Sequence, residues 1–247
     1  MPRATGGARA RRLDTLLFDV TGTLMKVRGS VGEIYARRGS GHGVRLDPER
    51  VNRSFERARR NAPPLAFATR SGAPRRTAER GWWRNVLRET LQGAGQTAPE
   101  AFFDDVYNQF AEEAAWELDP DGPEVLAELR RRGYVLGVLS NFDSRLPGLL
   151  GALGLASLFA AVETSSSLGV AKPHPQAFHG ALAALGGSTA SAAYIGDSPV
   201  TDAGGAAAAG LLPVLLRASL PPGVEGLTIG GLIELLDVFP GPIHERI

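Results

Sequence analysis

The chain has 247 residues, of which 43% are hydrophobic and 21% charged, so it has the length and composition of a folded protein with a buried core. Its formal net charge of +1 provides no overall attraction to nucleic acid or to a membrane surface, and we expect neither as a partner. Cysteine is absent, which excludes disulfide bonds and thiolate chemistry, and no apolar run reaches the roughly 18 residues of a membrane span.

Residues 1–12 are basic and rich in alanine and glycine, and they lack the apolar stretch of a secretory signal. We therefore expect a flexible N-terminal tail on a cytoplasmic protein. A short organelle-targeting segment is the alternative interpretation of this composition.

Short apolar runs alternate with helical patterns along most of the chain. The first run, residues 13–20, predicts a buried strand that ends at the turn Thr21-Gly22-Thr23, where glycine permits a sharp change of direction. Further strands are predicted at residues 134–140, 160–164, 192–196 and 211–216. Helices are predicted between them at residues 123–132, 145–153, 175–185 and 199–209. This alternation predicts an α/β fold with a parallel sheet that is covered by helices on both faces.

The segment from residue 31 to residue 118 interrupts the alternation and is predicted to be helical throughout. Phe102, Phe103, Val106 and Phe110 recur at helical spacing and would form one apolar stripe. Prolines between residues 61 and 74 predict a loop between two of the helices. An all-helical module is therefore expected as an insertion after the first strand of the sheet.

This module is unbalanced in charge, since residues 28–88 contain 15 arginines and five acidic residues. Solvated helix faces would explain the surplus, because 25 of the 27 basic residues of the chain are arginines. The alternative is that the surplus attracts an anionic substrate across a cleft. The two lysines, Lys26 and Lys172, are exceptions to the arginine bias, and such an exception is expected where a compact ammonium group is needed.

Polar residues follow the predicted strands at the edge of the sheet where ligands bind in parallel α/β folds. Asp19 ends the first strand, Ser140 and Asn141 end the second, and Asp197 follows the fourth. Lys172 comes a short connection after the third strand. Two carboxylates so close together would repel each other unless a cation lay between them. Mg²⁺ suits such a site, because it binds to few carboxylates and keeps waters and phosphate oxygens as its other ligands.

These residues lie in four short motifs whose order resembles that of the haloacid dehalogenase-like hydrolase superfamily. The motifs are Asp19-Val20-Thr21-Gly22-Thr23-Leu24, Leu139-Ser140-Asn141, Lys172-Pro173 and Gly196-Asp197-Ser198-Pro199-Val200-Thr201-Asp202. The resemblance extends from residue 13 to about residue 237, and it implies a Rossmann-like three-layer α/β/α core formed by residues 13–26 and 119–247. The helical module, residues 27–118, resembles the cap that closes over the active site in this superfamily.

The resemblance also implies a role for each site residue. Asp19 would be the catalytic nucleophile that forms an aspartyl-phosphate, and Lys172 would neutralise charge on the nucleophile and on the phosphate. The phosphate-binding residues would be Thr21, Gly22, Ser140, Asn141 and Lys172. The Mg²⁺ site would comprise Asp19, the carbonyl of Thr21, Asp197 and Asp202, the last supporting the metal shell or orienting a bound water. The implied partner is a small phosphorylated substrate.

Position 21 departs from the pattern of the superfamily's phosphatases, which generally carry a second, catalytic aspartate two residues after the nucleophile. Thr21 occupies this catalytic position, and its hydroxyl cannot transfer protons well near neutral pH, whereas general acid–base catalysis contributes about 10²–10⁴-fold. Three functions are consistent with this change: a slow hydrolase of acyl or aryl phosphates, a phosphate- or partner-binding protein with little catalysis, or another chemistry on the same scaffold. The cation-pumping ATPases of the superfamily resemble this motif, with threonine at the matching position and a durable aspartyl-phosphate.

Two other chemistries of the superfamily are disfavoured by the sequence. 2-Haloacid dehalogenases work without metal, lack the carboxylate that stands here as Asp197, and carry tyrosine where this chain has Thr21. A phosphonoacetaldehyde hydrolase needs a lysine in the cap to form a Schiff base, and the candidate for it is Lys26, at the junction that leaves the sheet.

Overall fold

The computed structural model describes residues 13–67 and 71–242, so the tail expected at residues 1–12 lies outside the described residues. The strands in chain order are β1 (Thr15–Phe18), β2 (Met25–Val27), β3 (Trp116–Leu118), β4 (Val135–Ser140), β5 (Ala161–Thr164), β6 (Ala192–Gly196), β7 (Leu212–Leu216) and β8 (Leu227–Ile229). Six of them form one parallel sheet in the order β5-β4-β1-β6-β7-β8, and β2 and β3 pair as a separate antiparallel ribbon.

The helices fall into two groups. Those between β2 and β3 are α1 (Val31–Gly41), α2 (Pro48–Asn61), α3 (Gly72–Gly93) and α4 (Glu100–Gln109). Those that accompany the sheet are α5 (Gly122–Arg131), α6 (Leu146–Ala152), α7 (Ser165–Leu168), α8 (Pro175–Ala184), α9 (Gly205–Ala208) and α10 (Leu235–Val238), with a π-helical segment at Pro199–Gly204. Short 3₁₀ turns lie at Glu113–Ala115, Ala156–Leu158, Thr189–Ser191 and Leu232–Glu234. Within the described ranges, no helix combines the length and the apolar character needed to cross a lipid bilayer.

The six-stranded sheet is buried between two layers of helices. Along β1 the side chains alternate between the layers: Leu16 and Phe18 belong to an apolar cluster with residues of α5 and α6, whereas Leu17 belongs to a second cluster with residues of α8. A strand that is covered on both faces is apolar at successive positions, which is why the sequence pattern predicted these strands. The structure confirms the expected α/β fold with a Rossmann-like parallel sheet.

Some elements differ from the sequence-based expectations. The pattern predicts helix throughout residues 31–118, but that prediction was wrong at Trp116–Leu118, which forms β3 and pairs with β2. Strand β8 has no counterpart among the predicted strands, and the helix predicted at residues 199–209 is divided into the π-helical segment and α9. Strands β3 and β8 contain three residues each. Such short strands carry no readable periodicity, and pairing with a neighbouring strand fixes them instead.

We call helices α1–α4 the helical insert, which is connected to the sheet through the β2–β3 ribbon. It has its own apolar core, which includes Tyr35, Val51, Leu91, Phe102 and Val106. Part of the stripe predicted from the sequence therefore packs inside the insert. The insert extends over the carboxyl edge of the sheet, and a cleft separates the two.

Candidate active site

The residues that the motifs single out converge on this cleft. Strand β1 lies between β4 and β6, so Asp19, Ser140 and Asp197, which stand at or just after the ends of these strands, are neighbours. The cleft has a volume of about 710 Å³. Its lining contains every predicted site residue: Asp19, Thr21, Gly22, Ser140, Asn141, Lys172, Asp197 and Asp202.

Lys172 lies at the centre of the site and is 5% exposed. Its ammonium nitrogen is 2.8 Å from Asp19 Oδ1 and 2.7 Å from Asp202 Oδ1. Burial opposes the charge of the ammonium group, but the carboxylates of Asp19 and Asp202 outweigh this effect and raise the pKa of Lys172. The lysine therefore stays protonated and holds a positive charge against the carboxylate of Asp19.

Tyr194 is a further partner of Lys172 that the motifs did not indicate. Its side chain comes from β6, and its hydroxyl accepts a hydrogen bond of 2.5 Å from the Lys172 ammonium group. The same hydroxyl donates a hydrogen bond of 2.7 Å to the carbonyl of Leu139, in β4. The available signal was a tyrosine within an otherwise apolar buried strand, because a buried phenol needs a hydrogen-bond partner. Strands β4 and β6 together thus fix the position of the ammonium group.

Two glycines allow the carboxylates of the fourth motif to approach the backbone. Gly22 has φ +92°, and a Cβ atom there would overlap the carboxyl group of Asp197. A Cβ atom on Gly196 would lie 2.5 Å from the carboxyl group of Asp202. The Oδ2 atom of Asp202 accepts hydrogen bonds from the backbone N–H groups of Asp197 and Ser198, at 3.1 and 2.9 Å. Asp202 therefore fixes the loop that carries Asp197.

The carboxylates of the site have the geometry and charge of a cation site. One oxygen each from Asp19, Asp197 and Asp202 lie within 4.8 Å of one another. Three carboxylates share the charge of one ammonium group, and burial together with the nearby Asp19 raises the pKa of Asp197. A divalent cation between Asp19 and Asp197 would relieve this repulsion. The oxygen donor set therefore fits a hard ion such as Mg²⁺.

Thr21 is exposed in the turn that follows β1. This turn is closed by a hydrogen bond of 2.7 Å from the N–H group of Gly22 to the carbonyl of Met25. The N–H group of Gly22 is thus engaged within the turn, and phosphate binding by Gly22 stays a prediction. Position 21 offers a hydroxyl group, which neither gains nor loses a proton near neutral pH.

Comparison with known proteins identifies the family to which this arrangement belongs. A family model described as haloacid dehalogenase-like hydrolase matches residues 13–210. The chain is a haloacid dehalogenase-like hydrolase. The human (Homo sapiens) haloacid dehalogenase-like hydrolase domain-containing protein 3 is 33% identical over 247 residues, which cover 95% of this chain and 98% of the relative.

Two further similarities concern a phosphatase and a solved structure. A phosphoserine phosphatase from Thermus thermophilus is 38% identical over 156 residues, which cover 61% of this hydrolase and 62% of the relative. The structure of the haloacid dehalogenase-family hydrolase YfnB from Bacillus subtilis, bound to magnesium, superposes with a TM-score of 0.73 at 21% identity, covering 92% of this chain and 98% of that one. The hydrolase shares its fold with YfnB across nearly the whole chain.

The arginine surplus of the insert is located mainly outside the cleft of this hydrolase. Among the described arginines of the insert, Arg59 belongs to the lining of the cleft. Others pair with acidic residues on helix surfaces, as Arg80 and Arg84 do with Asp104 at 2.8 and 3.1 Å. This placement favours the explanation by solvated helix faces over attraction of an anion across the cleft.

A buried ion pair between Asp143 and Arg145 connects the core of the hydrolase to its insert. Asp143 accepts hydrogen bonds from the Arg145 guanidinium group at 2.9 and 2.6 Å and from the indole N–H of Trp83, in α3, at 2.5 Å. Arg145 also donates to the carbonyl of Tyr107, in α4, at 2.7 Å. The motifs gave no indication of the contacts with Trp83 and Tyr107, because these join segments that are 60 and 38 residues apart in sequence.

Glu79, in α3, makes a second buried contact between the insert and the core, and it is 0% exposed. Its carboxylate accepts hydrogen bonds from the backbone N–H group of Ser144, at 3.1 Å, and from the hydroxyl groups of Ser144 and Ser166. In the sequence, Glu79 is merely one of the few acidic residues of a basic segment. Its three hydrogen bonds anchor the insert to the loop after β4 and to α7.

Proposed function

We propose that this hydrolase is a Mg²⁺-dependent phosphatase, located in the cytoplasm, that acts on a small phosphorylated metabolite through an aspartyl-phosphate on Asp19. The observation that carries the proposal is the buried Lys172 ammonium group, 2.8 Å from Asp19 Oδ1. An ammonium group in this position sets a positive charge directly beside the carboxylate of the nucleophile. It can also neutralise the charge that a phosphoryl group brings into the site.

In the first half-reaction, a carboxylate oxygen of Asp19 attacks phosphorus and forms the aspartyl-phosphate bond. The bond between phosphorus and the leaving-group oxygen breaks, and its electron pair stays on that oxygen. The hydroxyl of Ser140 and the backbone N–H of Asn141 would hold phosphoryl oxygens, with Lys172 and the backbone of the Thr21 turn beside them. We assign these residues to one phosphoryl group because they line one cleft with the nucleophile.

Asp19, Asp197 and the carbonyl of Thr21 would hold Mg²⁺. When bound, the ion would supply positive charge that offsets the carboxylates and the phosphate oxygens. Both oxygens of Asp202 already accept hydrogen bonds, one from Lys172 and the other from two backbone N–H groups. We therefore assign Asp202 to the support of the metal site and of Lys172 rather than to direct coordination.

Thr21 limits both proton transfers of the reaction. Without an acid at this position, the leaving oxygen departs as an anion or takes a proton from solvent, which favours acyl and aryl phosphates over alkyl phosphates. In the second half-reaction a water oxygen attacks phosphorus, the bond to Asp19 breaks, and the water proton passes to solvent. Because no side chain at position 21 accepts this proton, we expect a long-lived aspartyl-phosphate and slow turnover.

The second candidate function is a catalytically weak phosphate- or partner-binding regulatory protein on the same fold. Thr21 is the observation that favours it. The arrangement of Asp19, Lys172 and Asp197 in one cleft favours the enzyme, since a binding protein has little need for a nucleophile, a charge-neutralising lysine and a metal carboxylate together. The similarity to a phosphoserine phosphatase also supports the phosphatase.

Lys26 gives no support to Schiff-base chemistry. Its side chain is 69% exposed and forms an ion pair of 3.3 Å with Glu117. A lysine that forms a Schiff base must lose its proton first, and burial or a neighbouring cation would promote that loss. Lys26 is instead exposed and lies beside a carboxylate.

Phosphate release from acetyl phosphate and from phenyl phosphate tests the proposal, with Mg²⁺ and with a chelator, for the wild type and for Asp19→Asn. We expect release that requires Mg²⁺ and that Asp19→Asn abolishes, with an unchanged circular dichroism spectrum of the variant. If the wild type binds phosphate but releases none from either compound, the binding protein becomes the better account.

A further inference from the structure

The two sides of the cleft differ in chemical character. The core side carries the carboxylates, the lysine and the serine of the proposed reaction. Aromatic rings from the insert, the β2–β3 ribbon and the loop after β4 line the rest of the cleft, and we call five of them the aromatic wall: Tyr35, Phe55, Phe110, Trp116 and Phe142. Phe55 and Phe110 are half-buried, so part of each ring remains accessible. Whatever extends from the phosphoryl group into this space meets apolar, flat surfaces.

The aromatic wall is held together by contacts between its rings. The ring centroid of Tyr35 lies 6.3 Å from that of Phe55 and 6.4 Å from that of Phe110, both in edge-to-face geometry. The Phe110 ring lies 6.0 Å from Trp116, which lies 5.9 Å from Phe142. The rings therefore form one continuous packed cluster from α2 to the loop after β4, in which Phe55 and Phe110 are the more exposed members. Because Phe142 follows Asn141 directly, the wall reaches the proposed phosphate site.

The charged groups near the aromatic wall already have partners among the described residues. Both ends of the Arg145 guanidinium group are engaged, by the carboxylate of Asp143 and by the carbonyl of Tyr107. Arg59, which is exposed, pairs with Glu56 at 3.4 Å. The faces of these rings offer no hydrogen bond to the hydroxyl or carboxylate groups of a sugar phosphate or a phosphorylated acid, so such groups would have to reach Lys26, Arg59 or Thr201 elsewhere in the lining.

We propose that the leaving group of the substrate is an aromatic ring held by the aromatic wall, so that the substrate class is aryl phosphate monoesters. This inference rests on the proposed phosphatase function and adds the part of the substrate that the phosphate site does not recognise. Thr21 points to the same class independently. A phenol loses its proton with a pKa near 10 in tyrosine, far more readily than an aliphatic alcohol, so a phenolate can leave without a general acid.

Binding of two phosphonates separates the ring from the phosphoryl group and does not depend on turnover. Phenylphosphonate and methylphosphonate present the same anionic head, and their carbon–phosphorus bonds are not hydrolysed by a phosphatase. Their dissociation constants are measured by calorimetry with Mg²⁺ for the wild type, Phe55→Ala and Phe67→Ala. Phe67 is the matched control, because it is also a half-buried phenylalanine between β2 and β3 but does not belong to the described lining of the cleft.

We expect phenylphosphonate to bind the wild type at least about tenfold more tightly than methylphosphonate, since a buried ring contributes apolar contact. The ratio of the methylphosphonate to the phenylphosphonate dissociation constant should fall about fivefold in Phe55→Ala and stay unchanged in Phe67→Ala. Equal affinity of the two phosphonates for the wild type, or equal ratios in the two variants, would overturn the aryl inference while the phosphatase proposal stood. Failure of both phosphonates to bind would overturn both proposals.

Discussion

The side-chain amide of Asn141 holds Lys172 by both polar groups of its backbone. Asn141 Oδ1 accepts a hydrogen bond of 2.9 Å from the N–H group of Lys172, and Asn141 Nδ2 donates one of 3.0 Å to its carbonyl. The residue at the end of β4 therefore fixes the segment that delivers the lysine to Asp19. The family resemblance implies phosphate binding by Asn141, and the structure adds this positioning contact of its side chain.

Replacing the side chain of Asn141 should therefore impair catalysis through Lys172. We predict that Asn141→Ala lowers kcat for acetyl phosphate about 10²-fold, because a misplacement of about 1 Å in a catalytic group has an effect of this size. Asn141→Asp keeps the acceptor for the Lys172 N–H group but turns a carboxylate oxygen toward the Lys172 carbonyl and adds negative charge beside the phosphoryl group, so it should lower kcat as well. Wild-type kcat in a folded Asn141→Ala protein would show that the amide does not position the lysine.

Restoring a carboxylate at position 21 should accelerate the hydrolase. We predict that Thr21→Asp raises kcat by up to about 10²–10⁴-fold, with the larger gain on alkyl phosphates, whose leaving oxygen needs a proton most. Thr21→Asn is the matched control, since it has the same shape as aspartate without an ionisable group. The measurement is kcat for an alkyl and an aryl phosphate. An equal gain in Thr21→Asn, or none in Thr21→Asp, would refute the role of proton transfer at this position.

The excess of carboxylates should make the thermal stability of the protein respond to Mg²⁺ and to pH. The pKa of Asp197 is raised in the folded protein, so without metal its ionisation lowers stability as the pH rises through that pKa. Mg²⁺ at about 100 times its Kd should raise Tm on the order of 5 °C at pH 7.5. The increase should be smaller at pH 5, where protons compete with the ion for the carboxylates.

Two variants check this account in differential scanning calorimetry. Asp197→Asn should lose the Mg²⁺-dependent increase in Tm, and without metal it should be at least as stable as the wild type, because one source of repulsion is gone. Asp237→Asn changes an exposed carboxylate outside the cleft and should keep the wild-type response. An undiminished Mg²⁺ response in Asp197→Asn would place the ion elsewhere.

The buried hydrogen bonds of Glu79 should contribute strongly to stability. We predict that Glu79→Ala lowers the free energy of unfolding by about 3 kcal/mol, because the N–H and hydroxyl groups of Ser144 and the hydroxyl of Ser166 lose a charged acceptor in a buried site. Glu89→Ala removes an exposed carboxylate from the same helix and should change it by less than about 0.5 kcal/mol. The measurement is urea unfolding of both variants. Similar values for the two would contradict the anchoring role of Glu79.

The fold and several residues of the candidate site could be predicted because they are encoded locally. Strands that are buried on both faces give uninterrupted apolar runs, and polar residues at their ends mark the ligand-binding edge of the sheet. Because lysine is rare in this arginine-rich chain, Lys172 was predicted to have a functional role, and it lies at the centre of the site. Asp19, Ser140 and Asp197 lie together for the same topological reason.

Contacts between distant segments could not be predicted in this way. Tyr194, in β6, contacts Lys172 over 22 residues of sequence. Glu79 contacts Ser144 and Ser166 over 65 and 87 residues. No periodicity or motif carries such pairs. The aromatic wall could not be predicted either. Phe110 belongs to a stripe that predicts a buried helix face, and only the fold shows that its ring borders the cleft.

The covalent intermediate on Asp19 is the central claim of this account, and chemical trapping tests it most directly. The wild type is mixed with acetyl phosphate and Mg²⁺, quenched with acid at successive times, and mapped by peptide mass spectrometry. We predict a phosphoryl adduct on Asp19 that is absent from Asp19→Asn and that decays faster in Thr21→Asp. Hydrolysis of acetyl phosphate with no adduct at any time, or with the adduct on another residue, would contradict the account.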